Sequence, residues 1–411
     1  MANKNGGFIG TDGLDAPDPP TAVTPTGGNA SVSVAFTAPT DTGTSTITGF
    51  VAQVSTDGTD YSGGSGTGTS SPITVSSLTN GTAYTAKVWA INAYGTSAPS
   101  DASDSFSPVL PRGLIFGGRT GSTSLNNVDA ITIGTSGNAT DFGDLQTASA
   151  GCSSAASGTR GIKFGGKHTS GGGSNKSTNE IDYFTISSTG NATDFGDLPE
   201  NMTHNSGLSN DVRGVNVGGN GETTNGGRDE YEYITIASTG NTTDFGDSTS
   251  SYLQQGGATA STTRGVVWTG ESDDEKTIEY ITIASTGNAS DFGDATQNRG
   301  HTCCSASNTR ALAFAGEGGS TNNSIEYITI ASTGNAADFG DPDTNRDFGG
   351  SFSSKDNYAY LCGGNNPSSG ANLNEIEYVT IASTGNGTDF GNLTAAKEQT
   401  AGCSNVHGGL S

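Results

Sequence analysis

The sequence is poor in positively charged residues, in cysteine and in long apolar runs, and each shortage excludes a class of protein. Only 17 Lys and Arg stand against 41 Asp and Glu, a net charge of −24. Phosphate backbones and anionic bilayers repel such a chain, so we expect neither nucleic acid nor a membrane as partner. No apolar run is long enough to span a bilayer.

Cysteine usage and the first residues bear on the compartment. The five cysteines are odd in number and match no zinc spacing, which predicts buried free thiols. The first 20 residues lack the apolar segment of a secretory signal, so we expect none. Together these features predict assembly in a reducing cytoplasm.

Glycine and small polar residues take the place of charge. There are 64 Gly, and only 14% of residues are charged and 31% apolar. No apolar stretch has helical periodicity, whereas clusters such as YITIAS recur between turn-forming residues. The sequence therefore predicts an all-β chain of short strands joined by tight turns, and the regular apolar clusters argue against disorder.

The first hundred residues alternate between apolar and polar positions. Val32, Val34 and Phe36 share one face of a predicted strand, and Tyr84 follows Leu78 at the start of another alternating run. This pattern resembles the fibronectin type III domain over residues 19–108, with Tyr84 at the tyrosine-corner position of that β-sandwich. Phe36 stands where the family usually has Trp.

A segment ending in Asp-Phe-Gly occurs six times after residue 110, roughly every 50 residues. Each copy follows a run like IEYITIASTGN, which itself follows a run like RGIKFGG and, in most copies, a small-residue run such as GCSSAAS. Four strands per repeat predict a six-bladed β-propeller over residues 109–411, with the small-residue strands innermost. The C-terminal run AGCSNVHGGLS would supply the innermost strand of the first blade. The repeated phenylalanines are Phe142, Phe195, Phe245, Phe292, Phe339 and Phe390.

The repeat resembles the kelch repeat in its double glycine and third-strand tyrosine, with Phe in place of the kelch Trp. The segment TGNATDFGDL also contains a kinase-like Asp-Phe-Gly and a glycan acceptor triplet. The other kinase motifs are missing from the sequence, and six copies suit a structural turn better than a catalytic one. We expect no cofactor and no metal, with calcium at the Asp-rich turns as the alternative left open.

Two sets of links vary strongly among the repeats: those after the double glycine and those from the fourth strand to the next first strand. In an antiparallel blade both sets lie on one face, the variable face. Aromatic side chains can stack on sugar rings and arginine can pair with carboxylates. The alternative is that these links vary because nothing constrains them. The candidate ligand-binding residues are His204, Tyr252, Arg299, His301, Arg346 and Phe348.

The repeat, joined to the fibronectin-like region and an NGGFIGTDGLDAPD start, resembles virion structural proteins of tailed phages, particularly marine phages of cyanobacteria. That resemblance implies a tail-fibre or head-decoration protein on the virion exterior, assembled in the host cytoplasm. Residues 1–18 would be an extended peptide docking on other virion proteins, and the variable face would adhere to host-surface glycans. Catalytic residues are not expected. The alternatives are a decoration protein without a ligand and a glycan-cleaving propeller enzyme.

Overall fold

The computed structural model is all-β, as predicted. It describes residues 15–169, 175–222, 226–250, 253, 256–270, 276–314, 316, 323–354 and 357–409. Every regular element in these ranges is a β-strand. Among the described residues, no helix has the length and apolar character needed to cross a bilayer. The chain forms two compact units, residues 1–110 and 111–411.

The N-terminal unit is a sandwich of two antiparallel sheets. One sheet orders Thr21–Gly28, Ser31–Thr37 and Ile73–Ser76, and the other orders Gly64–Gly68, Ile47–Ser55, Thr85–Asn92 and Gly95–Thr96. Alternate residues of both sheets point inward because successive strand side chains face opposite sides. They meet in one apolar core, in which Phe36 packs against Phe50 with ring centroids 4.8 Å apart.

Two local contacts define this unit. The Tyr84 hydroxyl accepts a hydrogen bond from the Thr79 amide at 3.2 Å, the corner contact that the sequence predicted. The Asp15 amide donates to Thr44 Oγ1 at 2.8 Å, and the Asp15 carbonyl accepts from Asn92 Nδ2 at 2.9 Å. Residues ahead of the predicted start at residue 19 therefore contact this unit, and the Asp18 amide also donates to the Asp41 carbonyl at 3.0 Å. The rest of the predicted docking peptide, residues 1–14, lies outside the described residues.

The Tyr84 corner gives a stability prediction. Tyr84→Phe keeps the ring, which stacks on Phe106 with centroids 6.0 Å apart, but leaves the Thr79 amide without its acceptor. We expect the free energy of unfolding of the N-terminal unit to fall by about 1–2 kcal/mol. Urea unfolding followed by tryptophan fluorescence measures it, with Trp89 in this unit and Trp268 in the C-terminal unit contributing separately to the signal. Tyr94→Phe at an exposed position is the control, and equal stability of the two variants would contradict the prediction.

The C-terminal unit contains six sets of four antiparallel strands, one set per repeat. The first strands are Ser153–Ala156, Ser206–Ser209, Gly257–Ala260, Cys303–Ala306, Gly350–Ser353 and Ala401–Ser404. The second strands are Arg112–Phe116, Arg160–Phe164, Arg213–Val217, Arg264–Trp268, Arg310–Phe314 and Tyr358–Cys362. The third strands are Asn127–Thr132, Asn175–Thr185, Glu230–Thr235, Thr277–Thr282, Ile325–Thr329 and Glu375–Thr380. The fourth strands are Thr140–Asp144, Thr193–Thr203, Thr243–Asp247, Ser290–Asp294, Ala337–Gly340 and Thr388–Asn392.

Short ladders extend some of the links between these strands. They comprise Arg119–Thr120, Thr123–Ser124, Lys167–Thr169, Asn220–Gly221, Gly226–Gly227, Asn365–Asn366 and Ala371–Asn372.

The strand nearest the C-terminus belongs to the set nearest the N-terminus of this unit. Ala401–Ser404 pairs antiparallel with Arg112–Phe116, with Ala401 opposite Phe116 and Ser404 opposite Gly113. First strands of adjacent sets also contact one another. Ser154 Oγ donates to the Gly402 carbonyl at 2.8 Å, for example. Small residues make this approach possible, because larger side chains would hold the strands apart.

The repeated Thr-Gly-Asn and Asp-Phe-Gly segments hold successive repeats together. The Gly190 amide donates to the Phe142 carbonyl of the preceding repeat at 2.9 Å, and Asn191 Oδ1 accepts from the Asp144 amide at 3.1 Å. We call this pair of bonds the turn contact. It recurs between all consecutive repeats and between the sixth and the first, where the Gly137 amide donates to Phe390 at 2.9 Å. The motif is thus a joint between repeats as well as the turn that the sequence predicted.

An arginine at the start of the second strand adds a further joint. The Arg160 guanidinium lies 4.6 Å from the Tyr183 ring centroid of its own repeat and donates to the Ile236 carbonyl of the next at 2.9 Å. Arg213, Arg264 and Arg310 make the same two contacts in their repeats. Arg112 of the first repeat also donates to a carbonyl of the next repeat, but its guanidinium lies over the Phe142 ring at 5.6 Å. Tyr358 takes this position in the sixth repeat, where the Tyr360 hydroxyl accepts from the Gly134 amide at 3.4 Å instead.

Candidate functional site

Residues of all six first strands line a cavity of about 170 Å³. Its walls are mostly Gly, Ala, Ser, Thr and Cys, the residues that fit where six strands approach one another. Burial raises the pKa of the Cys152 thiol to about 11 and that of Cys303 to about 12. These thiols stay protonated near neutral pH and act as small packing groups, which agrees with the prediction of free cysteines.

One end of the cavity is bordered by residues in the left-handed backbone region. They stand two positions before a first strand and have φ between 52° and 60°: Gly151, His204, His301, Phe348 and Gln399. We call them the entrance residues; the sixth position, residue 255, lies outside the described residues. Left-handed φ costs a non-glycine residue on the order of 1 kcal/mol, and such strain concentrates at functional sites.

Backbone hydrogen bonds link the entrance residues around the opening. The His204 amide donates to the Gly151 carbonyl at 2.7 Å, the Gly151 amide to Gln399 at 2.9 Å, and the Gln399 amide to Phe348 at 2.7 Å. Each bond joins equivalent positions of adjacent repeats. The bonds compensate part of the backbone strain and fix where the side chains stand.

Three of the six predicted binding residues come together here. The His204 and His301 rings have centroids 6.2 Å apart although they belong to non-adjacent repeats, and the His301 and Phe348 centroids are 3.6 Å apart. All three side chains are half-buried and line the cavity. The entrance therefore presents an aromatic surface beside polar groups.

A lysine that the sequence analysis did not single out completes this cluster. Lys167 Nζ lies 3.3 Å from His204 Nε2. Because an ammonium can only donate, Nε2 is the acceptor and Nδ1 carries the imidazole proton. Burial lowers the pKa of His204 to about 3, with the Lys167 charge as the second cause, and burial lowers that of His301 to about 3. Both imidazoles are therefore neutral near pH 7, and Lys167 is the positively charged group of this cluster.

The placement of the two predicted arginines does not support their role in ligand binding. Arg299 is 3% and Arg346 is 1% exposed, so neither presents its guanidinium at the surface. Arg299 Nε lies 3.3 Å from the Glu326 carboxylate, and Arg346 lies 3.6 Å from that of Glu377. Each arginine supplies a positive charge beside a buried carboxylate. Tyr252, the remaining candidate, lies outside the described residues.

Those glutamates belong to a recurring set that sequence reasoning missed. Each third strand buries one carboxylate, at Asp129, Asp182, Glu232, Glu279, Glu326 and Glu377. The partners of these carboxylates differ. Lys397 Nζ lies 3.3 Å from Asp129 Oδ2, whereas the Glu279 carboxylate accepts hydrogen bonds from the hydroxyls of Ser248 and Tyr231. Burial raises the pKa of Glu232 to about 7. The acidic residue inside each IEYITI run was the available signal.

The opposite end of the cavity is crossed by residues 405–409. His407 Nδ1 accepts from the Gly409 amide at 3.0 Å, so Nε2 carries the proton and donates to the Ala156 carbonyl at 2.9 Å. The Gly408 amide donates to Ser353 Oγ at 3.2 Å. His407 is therefore part of this closed end of the cavity.

Among the described residues, no three His, Cys, Asp or Glu side chains are grouped so that they could hold a metal ion.

Comparison with known proteins characterises the N-terminal unit. No curated protein matches the chain. Residues 15–106 match the family model of the fibronectin type III domain, so the N-terminal unit contains such a domain, as its Tyr84 corner and two-sheet core indicate.

Proposed function

We propose that residues 109–411 form a six-bladed, kelch-like β-propeller closed by the C-terminal strand. Six four-stranded sets favour this architecture, since each has the strand order of one blade. The pairing of Ala401–Ser404 with Arg112–Phe116 supports closure at the innermost strand. The turn contact from Gly137 to Phe390 supports closure at the outer strands.

We further propose that the protein is a non-enzymatic surface protein of a tailed-phage virion, a tail-fibre or head-decoration component, that adheres to host-surface glycans through the variable face. The observation that carries adhesion is the convergence of His204, His301 and Phe348 at the cavity entrance. Aromatic faces pack against the C–H groups of sugar rings. Two of these residues come from non-adjacent repeats, and the strained backbone of all three suits a functional opening.

Polar atoms beside the entrance also suit a hydroxyl-rich ligand. Gln399 Oε1, Thr400 Oγ1 and His204 Nδ1 are buried and have no hydrogen-bond partner among the described residues. An unsatisfied buried polar atom costs about 1–3 kcal/mol. Sugar hydroxyls can both donate and accept, so a bound glycan would satisfy acceptors and donors together.

The virion assignment rests on the sequence resemblance and the modular order. A fibronectin type III domain precedes the repeats, as suits a spacer between a docking segment and a binding module. Residues 1–18 were predicted to dock on other virion proteins, and we retain that role for residues 1–14. Cryo-EM of the intact particle tests this placement, because density for the chain at a tail fibre or on the head would identify its site.

Replacement of Phe348 tests adhesion. Phe348→Asn removes the aromatic face while tolerating the left-handed backbone. We expect about tenfold weaker binding to host-envelope polysaccharide, corresponding to the loss of one stacking contact. A glycan array identifies the polysaccharide and calorimetry on the full chain measures the affinity. Tyr94→Asn, which removes an exposed aromatic elsewhere, should bind normally.

Three outcomes would count against adhesion at this site. If the full chain binds no polysaccharide, adhesion is wrong and a decoration role without a ligand remains. If Phe348→Asn binds as tightly as the unaltered chain, the site lies elsewhere. Release of sugars from the polysaccharide would favour the glycan-cleaving alternative.

A further inference from the structure

We propose that the entrance binds the terminal residue of a polysaccharide and that this residue is a negatively charged sugar. The proposal rests on the proposed glycan adhesion and adds the charge of the sugar and its position in the chain. The observations are the cation at Lys167, the neutral imidazoles beside it, and the closed far end of the cavity.

The charge around the entrance is opposite to that of the whole protein. The chain carries a net charge of −24, yet the cations Lys167 and Arg119 both lower the pKa of each of the two entrance histidines. Arg119 is paired with Glu398, whose carboxylate lies 2.7 Å from Nε. Within the described residues Lys167 has no such carboxylate partner, and its polar side-chain contact is with His204.

Lys167 therefore has unused capacity for an anion. Burial leaves the Lys167 ammonium incompletely solvated and lowers its pKa. The charge of Arg119 lowers that pKa further, and the Glu398 carboxylate, which is bonded to Arg119, offsets only part of the effect, so the ammonium gains from a further counter-charge. An acidic group of the ligand would accept from Nζ. Ammonium–carboxylate hydrogen bonds are roughly twice as strong as neutral ones. The His204 Nδ1–H, which has no protein acceptor among the described residues, offers a second donor.

The shape of the cavity favours the terminal residue of a polysaccharide over an internal one. Residues 405–409 close the far end through the bonds from His407 and Gly408. Because the cavity is blocked there, a polymer cannot thread through it and must enter by a terminus. The volume of about 170 Å³ is below the roughly 300–1,000 Å³ of pockets that enclose drug-sized ligands, so one sugar ring enters and the following residues stay outside.

The test compares matched sugars by calorimetry on the full chain. Glucuronic acid and glucose 6-sulfate carry a charge that glucose lacks, and sodium acetate and sodium sulfate supply the anions without the sugar ring. We expect both charged sugars to bind about tenfold more tightly than glucose and the free anions to bind more weakly than the charged sugars. A preference for one charged sugar over the other distinguishes carboxylate from sulfate.

Two lysine variants assign the preference to Lys167. Lys167→Met should abolish the preference for charged sugars, whereas Lys167→Arg, which keeps the charge, should retain it. Lys276→Met removes the same charge from an exposed site and should leave the preference intact. If Lys276→Met weakens it equally, general charge effects explain the result and the proposal is wrong. Thermal unfolding of each variant verifies that it is folded.

The outcomes separate this inference from the adhesion proposal. If glucose binds as tightly as the charged sugars and Phe348→Asn weakens all three, the entrance binds sugars without a charge preference, so this inference fails and adhesion stands. If no sugar or polysaccharide binds, both fail. A polysaccharide whose charged residues are all internal should bind more weakly than one with a charged terminus, and equal affinity would overturn the chain-end assignment.

Discussion

Replacing Lys397 with methionine is expected to lower the free energy of unfolding of the C-terminal unit by about 3–5 kcal/mol. Lys397 Nζ lies 3.3 Å from Asp129 Oδ2, and both side chains are fully buried. The pair connects the link before the last strand to the third strand of the first repeat. Methionine fills a similar volume but leaves the Asp129 carboxylate without its cation. Denaturant unfolding followed by circular dichroism measures the loss.

A double variant separates the charge effect from a packing effect. Asp129→Asn combined with Lys397→Met removes both charges, so most of the lost stability should return, although Thr394 Oγ1 at 2.6 Å would lose its charged acceptor. Lys276→Met at the exposed position should change stability by less than about 0.5 kcal/mol. A double variant as unstable as Lys397→Met alone would show that packing, not the buried charge, causes the loss.

Gly391→Ala is expected to destabilise the C-terminal unit by about 2–5 kcal/mol, through backbone strain and overlap together. Gly391 has φ of 152°, and a Cβ there would lie 2.4 Å from the Gly137 carbonyl oxygen of the first repeat. The sixth and first repeats must therefore move apart where Gly391 contacts Gly137. Because the Gly137 amide bonds to the adjacent Phe390 carbonyl, its hydrogen exchange should accelerate along with the fall in stability.

Gly385→Ala is the matched control for this substitution. No atom lies within 4 Å of the position its Cβ would take, and its φ is outside the left-handed region. We expect a change of less than about 0.5 kcal/mol. If the two alanine variants have equal stability, close approach between the sixth and first repeats does not contribute to the fold as described.

The parts of the fold that depend on local pattern could be predicted from the sequence. Alternation around Val32 and Val34 and the position of Tyr84 identified the N-terminal domain, because strand periodicity and a corner tyrosine are local signals. The strand content of the repeats followed from turn residues at regular spacing. The contacts of Asp15 could not be predicted, because they depend on bonds to the distant residues Thr44 and Asn92.

The candidate site was only partly predictable because it depends on contacts between repeats. Link variability pointed to His204, His301 and Phe348, but nothing in their residue types signals a left-handed backbone. Arg299 and Arg346 look like surface cations in the sequence. Their burial follows from carboxylates about 30 residues further along the chain, in a neighbouring strand of the fold.

The turn contact also has a genetic consequence. Each joint is built from the same few residues, with the donor at Gly190 or its equivalent and the acceptor at Phe142 or its equivalent. Recombination between two related genes at matching copies of this segment would exchange the adjoining variable links and leave every joint intact. Nearly identical joints thus make the links exchangeable between chains of this kind without a change of fold.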